Sequence, residues 1–272
     1  MLKVLLMLAC LLLPVAVQSA LAESAGWMTV DFLDVGKADA ILVTTENSAV
    51  FIDTATNKMG DEVLDHIRAR GIEKLDLLII THYDKDHVGG ADKVIEGMSV
   101  ERVLDANYPK DDKQFNQYVE ALSEAGIARE TLSENIAFEL DGVRYEIDVA
   151  NRSDYGKDEE NDFSLIVRAT HGENVFLFAG DAENARLGEL IDEGNLAAKV
   201  LKVPHHGRYE WLSAAFFEAV GADWAIITSD EEEPEDAETV RVLEAAGAKV
   251  LLTREGTVTL RSDGTAIEFV EE

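Results

Sequence analysis

A single cysteine stands in the 272 residues, at position 10, and it lies in a stretch built for removal. Met1-Leu2-Lys3 makes a short basic start, residues 4–17 are almost wholly apolar, and Ala20-Leu21-Ala22 supplies a small-x-small cleavage pattern. This is the pattern of a secretory signal peptide, too short and wrongly flanked for a stable membrane span. Cleavage after Ala22 discards Cys10 and leaves residues 23–272 as one domain without a disulfide. That domain would reside in the periplasm or the medium, where a disulfide would be permitted. A lipid anchor at Cys10 is the rival reading, and the apolar run that continues past the cysteine speaks against it.

Basic residues are also scarce. Lys and Arg number 24 against 54 Asp and Glu, a formal net charge of −30, and loss of Lys3 with the leader takes it to −31. Such a surface repels polyanions at long range, the reverse of a nucleic-acid footprint, until salt screens it. It resembles the acidic surfaces of proteins from salty habitats; an ordinary acidic exoprotein is the plainer alternative. Long linkers are absent too, and no protein partner can be inferred.

Against these absences stands one dense segment, Thr81-His82-Tyr83-Asp84-Lys85-Asp86-His87-Val88-Gly89-Gly90. It follows the apolar run 75–80, which predicts a buried strand opening into a ligand-bearing turn. Alternate residues of an extended segment share one side. His82, Asp84 and Asp86 can therefore converge on one point, and His87 can approach from the next helix. Imidazole with carboxylate suits a divalent ion of zinc or manganese type. The bland alternative is a solvated turn. Two later apolar runs weaken it, one closing on Asp181 in Phe178-Ala179-Gly180-Asp181, the other on Val203-Pro204-His205-His206-Gly207.

Hydrophobic patterning predicts strands at 28–33, 40–44, 49–52, 75–80, 103–104, 138–140 and 143–147, with helices at 61–69, 88–98 and 111–125. Later strands are expected at 163–169, 175–178, 200–203, 224–228, 250–252, 257–260 and 266–269. Helices are expected at 183–192, 211–220 and 237–246. The alternation suggests an α/β protein of two similar halves, with ligands at the strand ends between them. The acidic stretches 151–162 and 230–236 read as loops, the first near the mouth of the site.

In order along the chain, several segments carry a family resemblance: Asp34-Val35-Gly36-Lys37-Ala38-Asp39-Ala40, Phe51-Ile52-Asp53-Thr54, residues 81–90, Asn161-Asp162-Phe163-Ser164-Leu165, Phe178-Ala179-Gly180-Asp181-Ala182-Glu183 and Lys202-Val203-Pro204-His205-His206-Gly207. The chain resembles the metallo-β-lactamase superfamily, and within it the hydrolase domain of ComEC-type competence proteins. The resemblance implies a four-layer αββα sandwich with one or two divalent ions, zinc or manganese, at one edge, and hydrolytic chemistry. Carried over residue by residue, it implies His82 and Asp84 at a first metal, Asp86 and His87 at a second, Asp181 bridging them and His205 completing the second. It implies Asp53 as the carboxylate that orients a ligand histidine. Asn161 and Ser164 occupy the place where β-lactamases have a further histidine, so the first position is richer in oxygen, which moves preference toward manganese. Asp34 and Asp39 are read as shaping a hairpin loop.

The implied function is a metal-dependent phosphodiesterase or nuclease. A small-substrate esterase, acting for example on a phosphorylcholine-type ester, and a non-catalytic metal-binding member are the alternatives. Asp181 or Asp86 is the candidate general base. His206 either protonates a leaving group, binds phosphate, or merely bonds to backbone. Arg208 either pairs with a phosphate oxygen or lies idle on the surface. β-Lactam hydrolysis ranks lowest, because the first-metal histidines are missing.

Overall fold

In a computed structural model, residues 26–156 and 160–271 are described. The expected leader 1–22, with Cys10, lies outside the described residues. The first half runs β1 (Met28–Phe32), β2 (Ile41–Thr44), β3 (Ala49–Ile52), α1 (Gly60–Ala69), β4 (Lys74–Leu75), β5 (Leu77–Ile80), α2 (Ala91–Gly97), β6 (Ser99–Val100), β7 (Val103–Asp105), α3 (Lys113–Ala125) and β8 (Arg129–Thr131). The second half runs β9 (Ile136–Leu140), β10 (Val143–Asp148), β11 (Ile166–His171), β12 (Asn174–Phe178), α4 (Asn184–Glu193), β13 (Val200–Lys202), α5 (Ser213–Val220), β14 (Trp224–Ile227), α6 (Ala237–Ala245), β15 (Lys249–Leu252), β16 (Val258–Ser262) and β17 (Ile267–Val270).

One sheet has eight strands in the order β17-β16-β1-β2-β3-β5-β7-β8, and the other has seven in the order β15-β14-β13-β12-β11-β10-β9. Their inner faces share one apolar core, where Phe32 of the first sheet meets Phe178 of the second at 6.0 Å between rings. Val63 and Ile67 of α1, Val94 of α2 and Tyr118 and Leu122 of α3 pack on the first sheet. A separate apolar cluster joins the second sheet to Leu187, Phe216 and Leu243 of α4, α5 and α6. The result is the expected αββα sandwich.

The two halves are less alike than the sequence suggested. The last hairpin returns to the first sheet, with β16 antiparallel to β1 from Met28↔Ser262 to Phe32↔Val258. Strand β8, an exposed three-residue edge, carried too little hydrophobic pattern to be foreseen.

Local chemistry explains the elements around the site. Strand β5, Leu-Leu-Ile-Ile, is buried throughout because it runs parallel between β3 and β7 in mid-sheet, where both faces are covered. The Asp112 side chain caps α3 by accepting from Phe115 N at 2.9 Å, and Gly126 at φ 70° ends it.

The closing hairpin is locked electrostatically. Asp31 on β1, 1% exposed, accepts from Arg70 Nε at 2.7 Å, Arg70 Nη2 at 2.9 Å and Thr259 Oγ1 at 2.7 Å. Burial pushes the Asp31 carboxyl up, but the bonds from His66 and Thr259 and the charge of Arg70 outweigh it, and the net shift is downward. A depressed carboxyl pKa stabilises the fold above the unfolded value of about 3.9 and ceases to do so as pH falls through the folded value. Arg70→Met is therefore expected to cost about 1–3 kcal/mol at neutral pH, below the range for a fully buried pair because Arg70 is partly exposed. Urea titrations of both proteins should show the difference narrowing below about pH 4; a constant difference would mean that the charge on Asp31 plays no part.

Candidate metal centre

The site is built where β3, β5, β12 and β13 end. The chain leaves β5 at Ile80 and folds into a turn in which the amides of His87 and Val88 both donate to Asp84 O at 2.9 Å. The expected helix from Val88 starts later, at Ala91, because Gly89 and Gly90 form the floor of the turn. A Cβ on Gly90 would lie 2.3 Å from Thr54 O, and one on Gly89 2.2 Å from Lys85 O. Only glycine lets the turn press so closely on the loop after β3.

Asp53, held at φ 57° in that loop, organises the ligand turn from beneath. Its carboxylate accepts from Thr81 N at 2.7 Å, Thr81 Oγ1 at 2.6 Å and His87 Nδ1 at 2.7 Å. In the neutral imidazole the last bond places the proton on Nδ1 of His87 and leaves the Nε2 lone pair for a cation. His82 Nδ1 lies 3.2 Å from Thr81 Oγ1 and 3.4 Å from Ser164 Oγ. The Thr81 proton is committed to Asp53, so His82 donates from Nδ1 and its Nε2 is free as well. His206 Nδ1 donates to Thr228 O at 2.9 Å, with the same consequence.

These three Nε2 atoms are buried without hydrogen-bond partners, and they gather around Asp181. His87 Nε2 lies 3.2 Å from Asp181 Oδ1, and His206 Nε2 lies 3.2 Å from Asp181 Oδ2 and 3.5 Å from Asp86 Oδ2. Four groups among the described residues have ligand atoms within 4.8 Å of one another; the two sets facing the pocket are His82–His87–Asp181 and Asp86–His87–His206, with Asp39–Asp53–His87 beneath them and Glu183–His205–Glu210 at the rim. Buried imidazole lone pairs facing carboxylates are costly without a proton or a cation between them. The donor set fits a divalent ion.

The electrostatics agree. Burial opposes charge on His87, yet Asp181 and Asp53 outweigh it and hold its pKa well above the usual value. Burial likewise opposes charge on His206, and Asp181 and Asp86 raise it. His82 behaves oppositely, pushed down to about 4 by burial and by His87. Burial would raise Asp181, but His206, His87 and Lys202 pull it well below the carboxylate range.

Two sequence assignments are corrected. His205 was assigned to the second position, and His206 to proton transfer, phosphate binding or a bond to backbone; the structure turns His206 inward, its Nδ1 on the backbone oxygen of Thr228, and turns His205 away. In the turn Pro204–Gly207 both histidines are left-handed, at φ 48° and 51°. That turn aims His206 inward and sends His205 to the rim, where its Nδ1 lies 3.2 Å from Glu183 Oε1 and its Nε2 3.4 Å from Asn161 Nδ2. Asp84 also stays outside both sets; its side chain is 38% exposed, and Oδ1 lies 3.3 Å from Lys110 Nζ.

The other candidates fall near the centre. Ser164 Oγ accepts from Asp181 N at 3.1 Å, fixing the carboxylate-bearing turn. Asn161 donates to Glu183 Oε1 at 2.9 Å. Arg208 lines a cleft of about 310 Å³ with Lys37, His205, His206, Glu233 and Asp236. Tyr83 is buried away from the centre, its amide donating to Tyr108 Oη at 2.6 Å. Asp34 lies at the surface, its amide donating to Thr257 Oγ1 at 3.1 Å.

Sequence reasoning missed the partnership of Asp39 and Lys202. Asp39 was read as a loop-shaping residue, and Lys202 had no role. Both are buried, with Lys202 Nζ 2.5 Å from Asp39 Oδ2, 3.0 Å from Gly180 O and 3.5 Å from Asp181 Oδ1. Asp39 also accepts from Thr228 Oγ1 at 2.6 Å, the residue that orients His206. A lysine within the predicted strand 200–203, three residues before the histidine pair and inside a segment that carries the family resemblance, is the signal the sequence offered.

Fold and pocket together define an αββα protein with a cation-binding centre at the strand ends. The chain belongs to the metallo-beta-lactamase superfamily, whose family model matches residues 33–227. It is 26% identical over 257 residues to ComE operon protein 3 of Bacillus subtilis (strain 168), an alignment covering 86% of this chain and 32% of that protein. It is 27% identical over 227 residues to Competence protein ComA of Neisseria gonorrhoeae, covering 81% of this chain and 30% of that one. The chain thus spans about a third of the length of these curated relatives. Among solved structures, the metallo-beta-lactamase fold protein YhfI from Bacillus subtilis superposes with a TM-score of 0.58 at 10% identity, covering 86% of this chain and all of that one.

Proposed function

We propose that this chain is an exported, metal-dependent phosphodiesterase. The observation that carries the reading is the convergence of three unpartnered Nε2 atoms on Asp181. His206, His87, Asp86 and Asp181 would hold one divalent ion, and His82 with Asp181 a second, zinc or manganese. Such ions supply ionised water near neutral pH and offset charge on a phosphoryl group. The chain's own groups do the rest. Asp53 and Thr228 hold two imidazoles in the ligating tautomer. Asp86, 14% exposed and 3.6 Å from Lys37, is the candidate proton acceptor. Arg208, on the cleft wall, would pair with a phosphate oxygen, beside a Lys37 that already faces Asp86 and Glu233 at 3.6 Å. With Nδ1 bonded to Thr228 and Nε2 given to the ion, His206 would have no proton to pass to a leaving group.

One of the relatives is a competence protein by name, and a nuclease is the form of the activity we propose for a competence-linked role. A second reading, hydrolysis of a small ester, is favoured by the acidic rim. Glu233 and Asp236 share the cleft with Arg208, and Glu183 and Glu210 flank His205. Such a rim hinders a polyanion more than a compact substrate.

The test is metal analysis of the purified protein, followed by assays on bis-p-nitrophenyl phosphate, single-stranded DNA and p-nitrophenyl phosphorylcholine at several salt concentrations. The first reading expects bound zinc or manganese, turnover of the diester, and DNA cleavage that changes with salt. Turnover of the choline ester alone selects the second. No bound metal and no turnover with added metal would overturn both.

A further inference from the structure

The two halves of the centre are unequally equipped. Around the second position stand Asp86, His87, Asp181 and His206, four donors already drawn together, with the more exposed Lys37 3.6 Å from Asp86. The first position has His82 and its share of Asp181, while the carboxylate that should complete it, Asp84, is turned to Lys110. Lys110 is only 13% exposed and touches Asp84 at 3.3 Å, Asp112 at 3.3 Å and Glu160.

That lysine is held by architecture. Asp112, one of its partners, spends its other oxygen on the N-terminus of α3. The preceding Tyr108 is wedged between the ligand turn and the Glu160–Phe163 turn, its ring 4.6 Å from Tyr83 and 4.7 Å from Phe163. Its hydroxyl accepts from Tyr83 N. The Lys110 segment is therefore fastened to the same turn whose carboxylate it engages.

We propose that Lys110 is the residue that sets the metal stoichiometry: its ammonium occupies Asp84 in competition with a cation at the first position. The protein then takes one divalent ion tightly and a second only weakly. This rests on the reading of the pocket as a metal centre, and it concerns the difference between the two positions. It also makes Lys110 a positioning residue, acting on the reaction through Asp84.

Equilibrium dialysis of the full chain against Mn²⁺, at fixed ionic strength, tests it. The wild type is expected to bind one ion tightly and a second at least roughly tenfold more weakly, by analogy with the effect of outer partners on ligand carboxylates. Lys110→Met should strengthen the second step by about tenfold and leave the first nearly unchanged, while Lys110→Arg should behave as the wild type. Removing any nearby positive charge could tighten cation binding, so the comparison is repeated in an Asp84→Asn background. There the Lys110→Met effect must vanish, because Asp84, the carboxylate through which Lys110 acts on the first position, is gone. Circular dichroism of each variant confirms folding, and Lys110→Gln replaces the methionine variant if that one does not fold. Two ions of equal affinity in the wild type, an unaltered second step in the neutral variant, or an effect that persists without Asp84 would each overturn the inference. A protein that binds no ion overturns the metal-centre reading itself.

Discussion

His206→Ala should strip the protein of tightly bound metal and of turnover, and His205→Ala should leave both largely in place. The two residues are adjacent, carry the same side chain and share a left-handed turn. Only one of them faces the centre. His206 Nε2 stands 3.2 Å from Asp181 and 3.5 Å from Asp86, while His205 Nδ1 stands 3.2 Å from Glu183 at the rim. Loss of an outer partner of a ligand costs about 10–100-fold in metal affinity or activity, and loss of a direct donor should exceed that. Metal content by atomic emission and diester hydrolysis on the same samples give the two readouts. If His205→Ala were the variant that lost metal, the order assigned from sequence would be restored and the inward aim of the turn would be wrong.

Lys202→Met is expected to be the most destabilising single change near the centre. The substitution keeps volume and removes a charge from a fully buried site. Asp39 would then be left buried beside Asp181 and without the cation 2.5 Å away. Burial raises the Asp39 carboxyl, but Lys202 and then His87 and His206 draw it below its usual value, so the carboxylate is the form the fold depends on. Breaking a buried pair by removing one partner typically costs about 3–5 kcal/mol. Denaturant titration measures the loss. Asp39→Asn combined with Lys202→Met should recover part of it, because the stranded charge goes too. A single variant as stable as the wild type, or a double variant less stable than the sum of the singles, would show that the pair does not hold the floor of the centre.

What could be read along the chain and what could not divide on a physical line. The apolar run into His82 was legible because a strand buried on both faces needs an unbroken hydrophobic segment. Asp53 and Asp181 were legible through the family resemblance, each standing in a short motif directly after such a run. The choice between His205 and His206 was not. Neighbouring residues point apart by a rule of extended backbone, and this turn does not follow that backbone. Asp84 was expected within the cluster and stands outside it for a related reason. Alternation places it beside His82 and Asp86, but the turn closes with His87 N and Val88 N on Asp84 O, and the side chain swings out to Lys110. The expected symmetry of the halves failed because β16 and β17 are short alternating strands that could join either sheet.

By itself, then, the sequence determined the layers, the strand-end placement of the imidazoles and carboxylates, and the acidity of the surface. The last two follow from composition and short-range periodicity, and the first from the family resemblance. The tertiary structure alone decided which histidine enters the pocket, that Lys202 is neutralised by Asp39, and that Lys110 engages Asp84. Each of those is a contact between segments distant in the chain, and no local propensity encodes a charge pair whose partners meet only after the two sheets have packed.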